Sequence, residues 1–158
     1  MDKPIFLSLG TNLGDRLNNL HHARIALPPQ VHLIQVSPIY VTQPWGFLEQ
    51  PEFLNQVVEV RSELEPMPLL KYLKEIEDEL GRQVTFRYGP RLIDLDILFY
   101  GDRVVAEDGL QIPHPRLHQR AFVLVPLNDI APDFVHPVLK CSIQDLLADV
   151  DPEGVQKL

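Results

Sequence analysis

Gly89-Pro90-Arg91-Leu92-Ile93-Asp94-Leu95-Asp96-Ile97-Leu98-Phe99-Tyr100 alternates as a β-strand does. Ile93, Leu95, Ile97 and Phe99 fall on one face; Leu92, Asp94, Asp96, Leu98 and Tyr100 fall on the other. Residues two apart on a strand share a face, with Cα atoms about 6.5 to 7 Å apart. Asp94 and Asp96 are therefore neighbouring carboxylates between large apolar residues. Like charges that close repel, and burial strengthens the repulsion. A proton on one of them, or a cation between them, relieves it. Mg²⁺ takes oxygen ligands and often binds through one or two carboxylates plus substrate phosphates. The alternative is an edge strand whose Asp residues simply meet water. Against it, Asp is disfavoured in strands. In addition, Arg82, Arg87 and Arg91 precede the pair in a loop, which suits a polyanion beside a metal.

Working outward from this strand, Pro66-Met67-Pro68 opens a helix with Leu69, Leu73, Ile76 and Leu80 on one stripe and Gly81 as its C-terminal cap. Glu77 lies one position off the stripe and reads by default as a solvated helix residue. Upstream, Phe53 to Arg61 alternates as a strand, with Phe53 and Asn55 on one face. A ring beside an amide suits a planar heterocycle with donor and acceptor edges. The run from Thr42 to Pro51 is too long for a hairpin turn and carries Trp45 and Phe47. Two readings stand for it: a binding loop, or a small satellite core beneath the loop. Val31 to Val41 reads as one strand in which Pro38 marks an edge or a bulge. Pro4 to Leu9 reads as a central strand. Gly10 to Asp15 turns into a helix that Asp15 caps, with Leu17, Leu20, Ala23 and Leu27 as its apolar stripe and Pro28-Pro29 as its stop. Gly10 either makes this turn or lets the backbone approach a ligand.

The order β-α-β-β-α-β predicts an α+β, ferredoxin-like sandwich: an antiparallel sheet with two helices packed on one face. The carboxylates would look outward from the other face. A less regular C-terminal extension follows. It holds a short strand at 103–105 and an extended run through Leu110-Gln111-Ile112-Pro113-His114-Pro115. A helix follows over 120–127, limited by Pro126, and then a last one capped by Ser142. His114, rigid between two prolines, could face phosphate together with Arg116 and Arg120.

The 158 residues fit a single domain spanning 1–158, with a formal charge of −8. That charge argues against broad binding to nucleic acid or anionic membranes. With one cysteine, Cys141, no internal disulfide can form. No apolar run spans a membrane and no signal peptide is evident at the N-terminus, so a cytoplasmic protein, expected as a monomer, is the reading.

Arg87-Tyr88-Gly89-Pro90-Arg91-Leu92-Ile93-Asp94-Leu95-Asp96-Ile97-Leu98 resembles the signature of the 6-hydroxymethyl-7,8-dihydropterin pyrophosphokinase family. The resemblance extends in order through 8–14, 40–44, 51–55, Glu77 with Gly81-Arg82, 112–114 and 120–122. It implies transfer of pyrophosphate from ATP to the pterin hydroxymethyl oxygen, with release of AMP, in folate biosynthesis. It implies that Asp94 and Asp96 hold two Mg²⁺ ions and that Arg82 and Arg91 stabilise charge on the triphosphate. ATP would meet Glu77, Arg91, Ile97, Leu110, Gln111, Ile112, His114 and Arg120. The pterin would lie between Phe53 and Phe122, read by Asn55, Thr42 and Gln43 and covered by Trp45. Residues 82–88 would form a closing loop. The chain departs from bacterial members at Val84, Gly109, Pro115 and Gln43, and its 81–89 loop is one residue shorter. Two other classes compete. A non-catalytic ferredoxin-like binding module would consume no ATP. A two-metal nuclease would use the Asp pair but lacks a basic track.

Overall fold

The computed structural model describes residues 3–43, 49–81 and 92–158. Among them, a six-stranded sheet is built from β1 (Ile5–Thr11), β2 (Val31–Val36), β3 (Tyr40–Thr42), β4 (Phe53–Ser62), β5 (Asp94–Tyr100) and β8 (Val155–Lys157). β6 (Val105–Glu107) and β7 (Leu110–Ile112) form a separate hairpin around Gly109, whose φ is +82°. The helices are α1 (Arg16–Ala26), α2 (Pro66–Glu79), α3 (Ala121–Ile130) and α4 (Ile143–Ala148). β1 lies between β5 and β4, and every pairing in the sheet is antiparallel. The expected ferredoxin-like arrangement is present, with β2, β4, β1 and β5 in spatial order.

The expected single strand over 31–41 is two. β4 is ten residues long, and its outer edge takes β2 along 58–62 and β3 along 53–55. Between them, Ser37-Pro38-Ile39 leaves the ladder, because proline has no N–H to give it. Ser37 keeps the chain against β4: its N–H donates to Val57 O at 2.9 Å, and its Oγ accepts from Val57 N at 3.0 Å. β8 then pairs with β3 and was not foreseen from its sequence.

One core lies between the sheet and α1 with α2, where Leu7, Leu9, Leu20, Leu69, Leu73 and Leu95 are fully buried. Burying each such side chain contributes about 1.5 to 3 kcal/mol before entropy. Asp15 caps α1 as expected, accepting from Asn18 N at 3.2 Å, and Gly81 follows α2 at φ +86°. Leu17 does not join the α1 stripe; it is 53% exposed. Pro126 does not end α3, which runs on to Ile130.

The second core lies on the opposite face, under α3 and α4. Phe6, Phe99 and Phe134 meet there, with ring centroids 5.0 Å (Phe6–Phe134) and 4.8 Å (Phe99–Phe134) apart. This corrects the strict alternation expected of β5. The β1–β5 register shifts between Phe6 and Leu7, which pair with Phe99 and Ile97. Leu98 is the extra residue of a β-bulge. Beyond it the faces exchange: Phe99 enters the second core and Tyr100 the first. The two helices expected on one face are α1 and α2, and the helices of the C-terminal extension lie on the other. α3 and α4 cover the Phe6–Phe99 end of the carboxylate face and leave its other end open.

Candidate functional site

The open end is where β1, β4 and β5 present their alternate residues in register. Gly10 pairs with Asn55 on one side and Asp94 on the other; Ser8 pairs with Val57 and Asp96. Thr42 on β3 pairs with Phe53. Phe122, Val123 and Arg120 from the start of α3 form the opposite wall, and His114 closes one end. The cleft they line has a volume of about 230 Å³. Nine expected site residues line it: Thr42, Gln43, Phe53, Asn55, Asp94, Asp96, His114, Arg120 and Phe122.

Of the two expectations for Gly10, a turn residue or a close approach of backbone to ligand, the structure fits the second. Gly10 lies inside β1 and has no positive φ, so its role is one of space. A Cβ there would come within 3.2 Å of Asn55 Oδ1 and 4.0 Å of Phe53 Cδ1. The missing side chain leaves a bare floor joining the Asn55 end of the cavity to the Asp94 end. At the first end, Asn55 Nδ2 donates to Thr42 Oγ1 at 2.6 Å, which fixes the amide and turns its oxygen toward Gly10. Gln43 Nε2 donates to Glu52 Oε2 at 2.7 Å.

At the other end the charges are not balanced among themselves. Burial, and then the Asp94 carboxylate, push the Asp96 carboxyl up to about 7; Lys74 and Arg120 pull the other way. His114 is pinned beside the bulge, its N–H donating to Leu98 O at 3.0 Å. Its Nδ1 accepts from Arg116 N at 3.3 Å, which assigns the ring proton to Nε2. Burial, and then Arg120, hold His114 down at about 4, so the ring is a neutral donor at pH 7. The Arg120 guanidinium stacks over the Phe122 ring at 5.5 Å.

Other expected site residues lie elsewhere. Ile97, Leu110 and Ile112 have their side chains in the first core, so only their backbone is left for a ligand. Gln111 is exposed on β7. Glu77 is not the solvated residue that its position suggested: it is 0% exposed. Its Oε2 accepts from Leu95 N at 2.7 Å and from Lys74 Nζ at 3.1 Å. Lys74 Nζ also donates to Leu95 O at 3.2 Å and lies 4.0 Å from Asp96 Oδ1. Trp45, Phe47, Arg82, Arg87 and Arg91 lie outside the described residues, as does the expected closing loop.

Reading the sequence missed Ser8, Leu98 and Val123 in the cavity, and Lys74 beside it, and gave Gly10 only as an alternative to a turn residue. The signal for Ser8 and Gly10 was present. In the expected strand order β1 neighbours the Asp strand, so the small residues alternating with Leu7 and Leu9 had to share a face with it. Lys74 stands one helical turn before Glu77, a spacing that brings the two side chains together.

Both ends suit known chemistry. Two adjacent carboxylates with excess negative charge fit a divalent cation, and the neutral His114 and cationic Arg120 fit phosphate oxygens. The aromatic slot with a fixed amide fits a flat heterocycle.

The sequence profile of the 7,8-dihydro-6-hydroxymethylpterin-pyrophosphokinase family matches residues 6–132. The chain is 38% identical over 141 residues to the Aquifex aeolicus 2-amino-4-hydroxy-6-hydroxymethyldihydropteridine pyrophosphokinase, covering 89% of this chain and 88% of that one. It is 43% identical over 135 residues to the folic acid synthesis protein of Dictyostelium discoideum, covering 85% of this chain but only 20% of that longer protein. The fold is shared with the crystal structure of Plasmodium falciparum HPPK-DHPS, at a TM-score of 0.74 and 19% identity, over 92% of this chain and 43% of that one. The chain belongs to the 7,8-dihydro-6-hydroxymethylpterin-pyrophosphokinase family, ATP-dependent transferases of folate biosynthesis.

Proposed function

We propose that residues 1–158 act as one pyrophosphokinase domain that divides its reaction between the two ends of the cavity. The pterin lies between Phe53 and Phe122, with its edge read by Asn55 and Thr42. Gln43 borders it, and Trp45 covers it. Its hydroxymethyl arm passes over the bare floor at Gly10 toward Asp94 and Asp96. The single observation that carries this reading is the row Asn55–Gly10–Asp94, which joins an aromatic slot to a carboxylate pair across three strands.

In the reaction, the pterin hydroxyl oxygen bonds to the β-phosphorus of ATP. The bond from that phosphorus to the α,β-bridging oxygen breaks, AMP leaves, and the hydroxyl proton is lost. Such transfers depend on alignment and on spreading charge. Asp94 and Asp96 would hold two Mg²⁺ ions, which would supply positive charge to offset that of the phosphates and raise the acidity of the attacking hydroxyl. His114 donates through Nε2 to a phosphate oxygen. Arg120, placed over the Phe122 ring, neutralises another, and Arg82 and Arg91 add charge from the preceding segment. The backbone of Leu110, Gln111 and Ile112, with that of Ile97, borders the adenine, while Glu77 supports the nucleotide end from below.

AMP release from ATP and Mg²⁺, with and without 6-hydroxymethyl-7,8-dihydropterin, tests the reading. AMP is expected only with the pterin and not after EDTA is added. AMP formation without the pterin, or none at all, would contradict it.

A further inference from the structure

Among the described residues, the outer edge of β5 is met at Leu95 by two side chains rather than by a strand. At Leu95, between the two aspartates, Glu77 Oε2 takes the backbone N–H at 2.7 Å and Lys74 Nζ gives to the backbone carbonyl at 3.2 Å. The two side chains pair with each other at 3.1 Å. An edge strand otherwise offers such groups to water or to another chain. This clamp grips the one residue whose backbone orientation sets the directions of Asp94 and Asp96 together.

Lys74 also reaches past the edge. Its side chain is 39% exposed, and its ammonium lies 4.0 Å from Asp96 Oδ1, whose side chain is 36% exposed. We infer that Lys74 and Glu77 are positioning residues for the carboxylate pair. They hold Leu95 so that both aspartates face the cavity, and the Lys74 cation offsets their mutual repulsion until a ligand arrives. The inference rests on the reading of Asp94 and Asp96 as metal ligands. It makes Glu77's support of the nucleotide end an indirect one, through the strand, and it gives Lys74 a role that its half-exposed place on a helix does not announce.

Removing Lys74 alone leaves a fully buried carboxylate without that cation, a change that can unfold a protein by itself. The informative variant is therefore the double Lys74→Gln/Glu77→Gln. It keeps the net charge, leaves an amide oxygen for Leu95 N–H and an amide donor for Leu95 O, and removes the cation beside Asp96. Lys74→Arg serves as the conservative control. Two readouts are taken beside Tm: steady-state kinetics, and Mn²⁺ binding by electron paramagnetic resonance with an ATP analogue carrying a methylene between the α- and β-phosphates. The double variant is expected to keep its Tm within a few degrees and its pterin KM, to lose about tenfold in kcat, and to bind Mn²⁺ about tenfold more weakly. Lys74→Arg is expected to retain both.

Unchanged kcat and Mn²⁺ affinity in the double variant would overturn the inference, as would a loss of Tm alone. Because Mn²⁺ binding is read without turnover, a wild type that releases no AMP overturns the reaction and not the clamp. Weaker Mn²⁺ binding in the double variant would still support the clamp.

Discussion

The two ends of the cavity share a floor and differ in what they lack. At the aromatic end the polar groups are already paired: Asn55 donates to Thr42, and Gln43 to Glu52. At the acidic end, Asp96 sits beside Asp94 and is pushed up to about 7. A site whose groups are paired before the ligand comes selects by shape and by the one acceptor left facing in. A site whose charges repel is completed by what binds there. Gly10 keeps the two in one space.

The largest expected effect breaks the acidic end alone. Asp96→Asn should lower kcat by roughly 10³-fold or more, the scale on which charge stabilisation contributes. Pterin affinity should hold, as read by fluorescence titration with 6-hydroxymethylpterin. Breaking the other end comes next. Asn55→Leu should raise the pterin KM by about 100-fold, since it removes a buried polar contact and strands Thr42. Affinity for the ATP analogue, measured by calorimetry, should change little.

Gly10→Ala sharpens the comparison, because it removes no group from either end and crowds only the aromatic one. Alanine suits a strand no worse than glycine, so Tm should hold. The Cβ presses on Asn55 Oδ1, so the pterin KM should rise by about tenfold while affinity for the ATP analogue stays the same.

The acidic end should also show in pH. Below about 7 the free protein holds a proton on Asp96 that a divalent cation must displace. Mg²⁺ affinity should therefore fall by up to about tenfold per pH unit below that value and level off above it. His114, held down at about 4, stays neutral throughout and adds no second step. The smallest effect is on stability. A carboxyl raised in the folded state from 3.8 to about 7 contributes stability that is present below 3.8 and lost as pH rises to about 7. Asp96→Asn removes that loss, so the inactive variant should melt a few degrees higher than wild type at pH 8, by calorimetry.

The acidic end was legible in the sequence because its evidence is local: two aspartates in a strand, and a signature around them. The β-α-β-β-α-β order was legible for the same reason, each element carrying its own periodicity. What could not be read was set by contacts between distant segments. The bulge at Leu98 answers to the packing of Phe99 against Phe6 and Phe134, which no pattern within 89–100 contains. The burial of Glu77 depends on Leu95, eighteen residues away. The division of 31–41 into two strands depends on the length of β4. β8 is three residues long, too short to show a period, and is defined by its pairing with β3.

One measurement tests the division of the cavity most directly: calorimetric titration of Asp96→Asn with 6-hydroxymethylpterin, and then with Mg²⁺ and the ATP analogue. The account predicts wild-type affinity for the pterin and loss of the Mg²⁺-dependent part of nucleotide binding. Loss of pterin binding with Mg²⁺-dependent nucleotide binding intact would contradict it.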